Sequence, residues 1–315
     1  TEEIFADRIA ELTGLLDEGA SFAFNSLFLD PYLWRLQLGQ TKLVQRARSA
    51  GAPIDSVIVT AGIPELDEAV ALVEELTQIG IEHVVFKPGT IGQIRDVIAI
   101  AKSVTGTVIV QVEGGRAGGH HSWEDLDELI LATYGDLRAQ ANIVLCVGGG
   151  IGTGERAAAW LTGSWALRHG FEEMPVDGIL VGTAAMATLE AKTSPAVKEL
   201  LVQTKGTDAW VGAGTARGGM ASGRSQLGAD IHEIDNTASR TGRLLDEVAG
   251  DADAVASRRT EIIEALNRTA KPYFGDVDQF TYVQLLNRFV ELSGSGTGGF
   301  TTWLDESWRE RFGAL

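Results

Sequence analysis

The sequence predicts an α/β protein of the (β/α)8 TIM-barrel class, N-terminally truncated so that about six strands are present, with a C-terminal α-helical appendage. Three observations predict it. Six short runs rich in β-branched and apolar residues fall at 21–28, 56–60, 83–87, 107–112, 142–147 and 178–181. Apolar residues recur at helical spacing between them, and glycine-rich segments follow several runs directly. Strands alternating with helices make a parallel sheet, either closed into a barrel or left as an open six-stranded sheet with a leading helix.

The first helix is expected to be capped by Thr1 and to carry Ile4, Phe5, Ile9, Leu12 and Leu16 on one apolar face. That face needs a sheet to cover, yet no strand precedes it. The expectation is therefore that the chain starts inside the second helix of a barrel, with two strands and one helix, roughly 50 residues, upstream. After the second strand, Pro64 is expected in a first helical turn, with Leu66, Val70, Val73, Leu76 and Ile79 continuing the helix. Ile91, Ile94, Val97, Ile98 and Ala101 do the same after the third. Behind the fourth, Ser122 and Asp125 form a capping-box pattern opening a helix through about Leu137. Helices at 153–165 and 184–202 follow the last two strands. The barrel portion is thus 1–204. From 205 to 315 the alternation stops: 206–228 is rich in Gly, Ala and Ser, helices are expected at 227–248, 254–268, 281–292 and 303–311, and a flexible linker at 293–299.

Composition narrows the function. The chain has 315 residues, 44% of them hydrophobic, enough for a large core. A net charge of −17 argues against a nucleic-acid or anionic-membrane surface, both of which need a basic footprint. Cys146 is the sole cysteine and lies within an apolar run, where it acts as a small core hydrophobe. No apolar stretch is long enough to span a bilayer, so a soluble, cytoplasmic setting is expected.

The segment 111–125, QVEGGRAGGHHSWED, is the most informative. It runs from a buried strand through a glycine-rich loop to His120 and His121, at the strand C-terminal end where α/β folds hold ligands. Adjacent histidines cannot easily aim at one ion, and no third ligand stands at metal spacing. A general acid fits better, because imidazole titrates near neutrality. The loops GGGIGTG (148–154) and Gly182-Thr183 also follow strands and lead into helices, an arrangement suited to an anion. They do not match G-x-G-x-x-G: counted from Gly148 the last position is Thr153, and from Gly150 it is Glu155. With two strands upstream, they would follow strands seven and eight, where barrel enzymes hold phosphate. Other strand ends carry Asn25, Gly62, Lys87 and Gln111. Lys87 can set a positive charge against an electron-rich ring, and Asn25 and Gln111 are costly to bury without a partner. Trp123, Trp160 and Trp165 read as core or lid packing.

The motifs FKPG (86–89), Gln111 with GGRAGGHHSWED (114–125), and LTGSW (161–165) through MPVDG (174–178) resemble the enoyl reductase region of type I microbial fatty acid synthases, of fungi and of mycobacteria and their relatives, with a bacterial type I synthase as the expected source. The Gly-Gly-His core is shared with the wider nitronate monooxygenase and flavin enoyl reductase group. The resemblance implies an FMN-bearing barrel that uses NADPH to reduce a trans-2-enoyl thioester on an acyl carrier protein domain, within a large homo-oligomer alongside the other synthase domains. It places the FMN phosphate on Gly148, Gly149, Gly150, Gly182 and Thr183, the ring near Asn25, Lys87 and Gln111, and His120 beside the flavin, with His121 second. Hydride would reach the β-carbon, and His120 would bond the thioester or protonate the α-carbon. The alternatives are a nitronate monooxygenase-like flavin oxidase and a non-catalytic structural piece of a multienzyme complex.

Overall fold

The six apolar runs form six parallel strands because their β-branched and aromatic side chains pack on a pleated surface. In the computed structural model, which describes residues 2–224, 229–275 and 277–293, they are β1 (Phe22–Leu27), β2 (Ile54–Thr60), β3 (His83–Phe86), β4 (Val108–Glu113), β6 (Ile143–Gly148) and β7 (Gly178–Leu180). A two-residue strand, β5 (Gly119–His120), lies between β4 and β6 in the chain but belongs to another sheet. The parallel sheet has the order β1-β2-β3-β4-β6-β7 and curls into a half barrel wrapped by helices, as a truncated TIM-barrel-like fold requires. Register runs straight across it, with Asn25 beside Ile58, Ile58 beside Val85, Val85 beside Ile109 and Ile109 beside Val144.

Alternate residues of these strands have different fates. Val57, Val59, Val84, Phe86, Val108, Val110, Leu145 and Val147 are almost fully buried in one core with Leu72, Val73, Ile94, Val97, Leu129 and Ile130 of the covering helices. Each such side chain contributes roughly 1.5–3 kcal/mol of burial free energy. The intervening row, Ile58, Val85, Ile109, Val144 and Cys146, is only half-buried, since it lies on the concave side that a closed barrel fills with its own side chains.

The helices around the sheet are α1 (Glu2–Leu15), α2 (Pro31–Gln37), α3 (Leu43–Ser49), α4 (Leu66–Gln78), α5 (Ile91–Ser103), α6 (Leu126–Arg138) and α7 (Gly154–Thr162), then α8 (Thr183–Met186) and α9 (Pro195–Gln203). The apolar face expected on α1 is only partly covered: Phe5 and Ile9 pack against the core, whereas Ile4 and Leu12 are exposed. Pro64 stands before the cap residue Glu65 and outside the first turn of α4. Ser122 does not cap α6; that position is Asp125, and the Ser122 hydroxyl donates to Gly89 O instead. The helix expected at 153–165 stops at Thr162, because Gly163 adopts φ 83° and a 3-10 turn follows. That expected at 184–202 divides into α8 and α9, with Ser194 and Pro195 starting the second piece.

The C-terminal region is not wholly helical. β8 (Ala216–Arg217), β9 (Met220–Arg224) and β10 (Asp230–Ile234) join β5 in an antiparallel sheet of order β5-β10-β9-β8. A helix was expected over 227–248, but strand pairing occupies 230–234 and the helix begins only after Asn236, whose side chain accepts from Ser239 N while Ser239 Oγ accepts from Asn236 N. The remaining helices are α10 (Thr237–Val248), α11 (Ala252–Ser257), α12 (Arg259–Thr269), α13 (Lys271–Phe274) and α14 (Tyr282–Ser293). A second small core of Leu244, Val248, Ile262 and Ala265 holds α10 to α12. Thr1, residues 225–228 and the expected helix at 303–311 lie outside the described residues, as does the expected linker beyond Ser293. Among the described residues, no helix is long and apolar enough to cross a membrane.

Candidate active site

The C-terminal ends of β4, β6 and β7 bring three loops together. Gly114 N donates to Gly148 O at 3.0 Å, joining the first two. At Gly149 (φ 104°) a Cβ would stand 3.1 Å from both N and O of Gly114, and at Gly150 (φ 70°) one would stand 3.1 Å from Arg116 Cβ. A side chain at either position would therefore be strained in backbone and crowded by the β4 loop. The third loop closes in at Thr183, whose Oγ1 lies 2.9 Å from where a Cβ on Gly118 would be. Gly182 opens onto free space, with no atom within 4 Å of such a carbon. Among the described residues, the backbone N–H groups of Gly149, Gly150 and Gly182 donate no backbone hydrogen bond within the chain. Gly154 begins α7, a nine-residue helix whose cap Thr153 accepts from Arg156 N at 3.2 Å, so the loop from Gly148 leads directly into its positive end. The helix after Gly182 has four residues, and its dipole adds little.

On the concave side, period-two alternation along β4 sets Gln111 and Glu113 on the same face. Gln111 is buried, 6% exposed, and its Nε2 has no hydrogen-bond partner. A Cβ on Gly148 would come within 2.8 Å of that nitrogen, so the missing side chain makes room for the amide. An orphaned buried amide costs about 1–3 kcal/mol, which a ligand acceptor removes. Lys87, at the end of β3, pairs with Glu113 at 2.5 Å, both side chains about one-fifth exposed. Glu113 was not singled out by the sequence reading, although its Gln-x-Glu spacing was the available signal.

The remaining ring-side candidates sit farther along the sheet. Asn25 is exposed, not buried as a strand asparagine suggested, because β1 is the sheet's edge strand; its Nδ2 makes a long 3.5 Å bond to Thr60 Oγ1. Gly62 (φ 127°) follows Ala61 (φ 57°) in a left-handed turn, and a Cβ there would meet Phe28 Cδ1 at 2.8 Å.

The two histidines part company. His120 is exposed and lies in β5, opposite Ile231 of β10. His121 is half-buried, with Nδ1 2.7 Å from Ser122 O. Its ring stacks on His232 at 3.6 Å and 7°, with Trp210 edge-on at 5.8 Å. Burial is the main cause that pushes the His121 pKa below its usual value, and the neighbouring His232 and His120 act in the same direction, against the Ser122 carbonyl. His232 and Trp210, absent from the sequence reading, come from the C-terminal region. Arg116 spans the loop, bonding Asp125 at 3.0 and 3.4 Å and Asp208 at 3.4 Å. Trp123 is exposed and donates to Asp230 at 3.0 Å, fastening the loop to β10, whereas Trp160 and Trp165 are core residues stacked at 4.1 Å.

Residues 107–315 match the family described as fatty acid synthase subunit beta/Fas1-like, helical. The chain is 34% identical to the fatty acid synthase beta subunit pigK of Monascus ruber over 97% of its length, and 33% identical to the beta subunit aflB of Emericella nidulans over 96%. It is 32% identical to the fatty acid synthase subunit beta of Saccharomyces cerevisiae over 96%. It spans only 16%, 15% and 15% of those three proteins. Among solved structures, the enoyl reductase domain of MlnA from the macrolactin biosynthesis cluster of Bacillus amyloliquefaciens has the same fold: TM-score 0.54, 14% identity, 94% of this chain and 75% of that one covered.

Proposed function

Since the chain belongs to the Fas1-like helical family of fatty acid synthase beta subunits, we propose that it is the enoyl reductase segment of a type I fatty acid synthase, using FMN and NADPH on enoyl thioesters carried by an acyl carrier protein domain. The observation that carries this reading is Gln111: a buried amide without a partner, seated against Gly148 where any side chain would collide with it, at the ligand end of a half barrel. The fold neighbour's name points the same way. Other synthase domains are the proposed partners, in a large cytoplasmic homo-oligomer. A bacterial source rests on the motif resemblance, beside the fungal relatives named above.

The residues fit an elongated group with a flat polar ring and an anionic end. Gln111 Nε2 would donate to a ring-edge acceptor, and the Lys87–Glu113 pair would meet the ring without net charge. Asn25 and Gly62, farther along the sheet, would approach the ring from the side of β1 and β2. The N–H groups of Gly149, Gly150 and Gly182, with Gly148 and Thr183 beside them and the α7 N-terminus behind, suit a phosphate. When bound, FMN supplies the two-electron relay between NADPH and the enoyl β-carbon. His120, exposed on its short strand, would give a proton to the α-carbon or hydrogen-bond the thioester oxygen. His121 is the weaker candidate, because its ring is committed to the stack with His232.

The test is NADPH-dependent reduction of a trans-2-enoyl thioester by the intact synthase polypeptide. His120→Ala should lower turnover by about 100-fold or more, the scale of a lost general acid, and His121→Ala by less. Undiminished reduction in His120→Ala, with loss in His121→Ala, would overturn the assignment. Oxygen uptake with a nitronate would instead identify a flavin oxidase, and no flavin binding a structural segment.

A further inference from the structure

We propose that His232 is a positioning residue for enoyl reduction, holding the loop 114–122 so that His120 meets the substrate; this rests on the reading of His120 above. His232 lies in β10, more than a hundred residues from that loop in the chain, and is 5% exposed. A histidine is a costly choice for a buried position unless its nitrogens are engaged. Here Nδ1 stands 3.1 Å from Ala117 O and Nε2 2.8 Å from Val211 O. Whichever nitrogen carries the proton, the ring is tethered to a backbone carbonyl, and it stands between the glycine-rich loop and the segment leading to β8.

The tether acts next to His120. In the ladder, His232 is opposite Gly119 and Ile231 is opposite His120, so the backbone carrying His120 is one edge of the C-terminal sheet. The stack on His121 fixes the following residue, and Ser222 Oγ of β9 lies 3.5 Å from His121 Nε2. Trp210 closes the group from behind: a Cβ on Gly115 would lie 2.3 Å from its ring. The loop is otherwise glycine-rich at Gly114, Gly115, Gly118 and Gly119, with little stiffness of its own. The C-terminal hairpin supplies that stiffness. The region after β7 thereby contributes to chemistry without touching the reacting atoms.

The experiment compares His232→Phe, His232→Asn, His232→Gln and His120→Ala in the intact synthase polypeptide. Phenylalanine keeps a flat ring for the stack and removes both nitrogens, while Asn and Gln each return one amide near a former ring nitrogen. His232→Phe should lower kcat about 10- to 100-fold, the scale of a misplaced reacting group. FMN content and the KM for NADPH should stay within twofold, amide hydrogen exchange across 114–122 should rise, and one of the two amide variants should recover most of the lost rate. Wild-type kcat in His232→Phe would overturn the proposal. So would a joint loss of FMN content and kcat in all three His232 variants, which marks a residue needed only for folding. Undiminished turnover in His120→Ala would remove the premise and the proposal together. A normal His232→Phe beside an inactive His120→Ala would overturn the proposal alone.

Discussion

Gly115 offers a test of how the C-terminal region and the β4 loop lock together. An alanine methyl there lies 2.3 and 2.7 Å from two ring carbons of Trp210 and 2.8 Å from Ser122 O. Carbon pairs in contact prefer about 3.5–4.0 Å, so something must move. Trp210 is 44% exposed and can swing outward, at the loss of its edge contacts with His121 and His232, about 0.5–1.5 kcal/mol. Ser122 O cannot yield as easily, because Ser122 Oγ is tied to Gly89 O and to Glu124 N. Overpacking of this kind costs about 1–3 kcal/mol, and the two parts together come to roughly 3 kcal/mol. For a chain of this size that lowers Tm by roughly 5 °C. Thermal unfolding followed by far-ultraviolet circular dichroism, on Gly115→Ala, Trp210→Ala and the double variant, separates the two parts. The ring overlap vanishes in the double variant, so its loss should fall short of the sum of the single losses by about 1 kcal/mol or more. An unchanged Tm in Gly115→Ala, or strict additivity, would refute the packing described.

Other expectations follow from single contacts. Trp160→Ala should cost about 3–5 kcal/mol, read from the urea midpoint, because Trp160 is 1% exposed and stacked on Trp165. Asp177 accepts from Leu145 N and from Arg138, both at 2.7 Å; burial works to raise its pKa, but these bonds and the Arg138 charge hold it below the usual value. A depressed folded pKa gives stability that is full above the unfolded value and lost as pH falls through the folded one. The stability gap between wild type and Asp177→Asn should thus be steady at neutral pH and shrink below about pH 4. Burial, and then Asp177, push the Cys146 thiol pKa up, so maleimide should label it more slowly than a free thiol at pH 7.5, with the rate still climbing beyond the usual thiol range. Equal rates for Cys146 and free cysteine would contradict this.

The parallel strands were legible because each is a short, mostly apolar run whose partner is the next such run along the chain, so local pattern and tertiary pairing agree. α5 was equally clear, with Thr90 capping it by accepting from Gln93 N. The antiparallel sheet was not. The β9 segment MASGR and the β10 segment DIHEI contain few strong strand formers, and the pairing of β10 with Gly119 and His120 closes a loop of more than a hundred residues, which no local window shows. Ser122 had the right spacing for a cap but was drawn to Gly89 of another loop, a tertiary choice that outweighs local propensity. At the site, the glycines and Gln111 could be named from strand ends. Glu113 required asking which side chains share a face, and His232 could not be placed before its strand was.

A flavin site at the mouth of the half barrel should be visible in the absorbance spectrum of the intact synthase polypeptide supplied with FMN and titrated anaerobically with NADPH, beside Gln111→Ala. Wild type should show flavin bands that bleach stoichiometrically, and Gln111→Ala should retain clearly less flavin. No bound flavin in the wild-type polypeptide, or retention indifferent to the loss of Gln111, would contradict it.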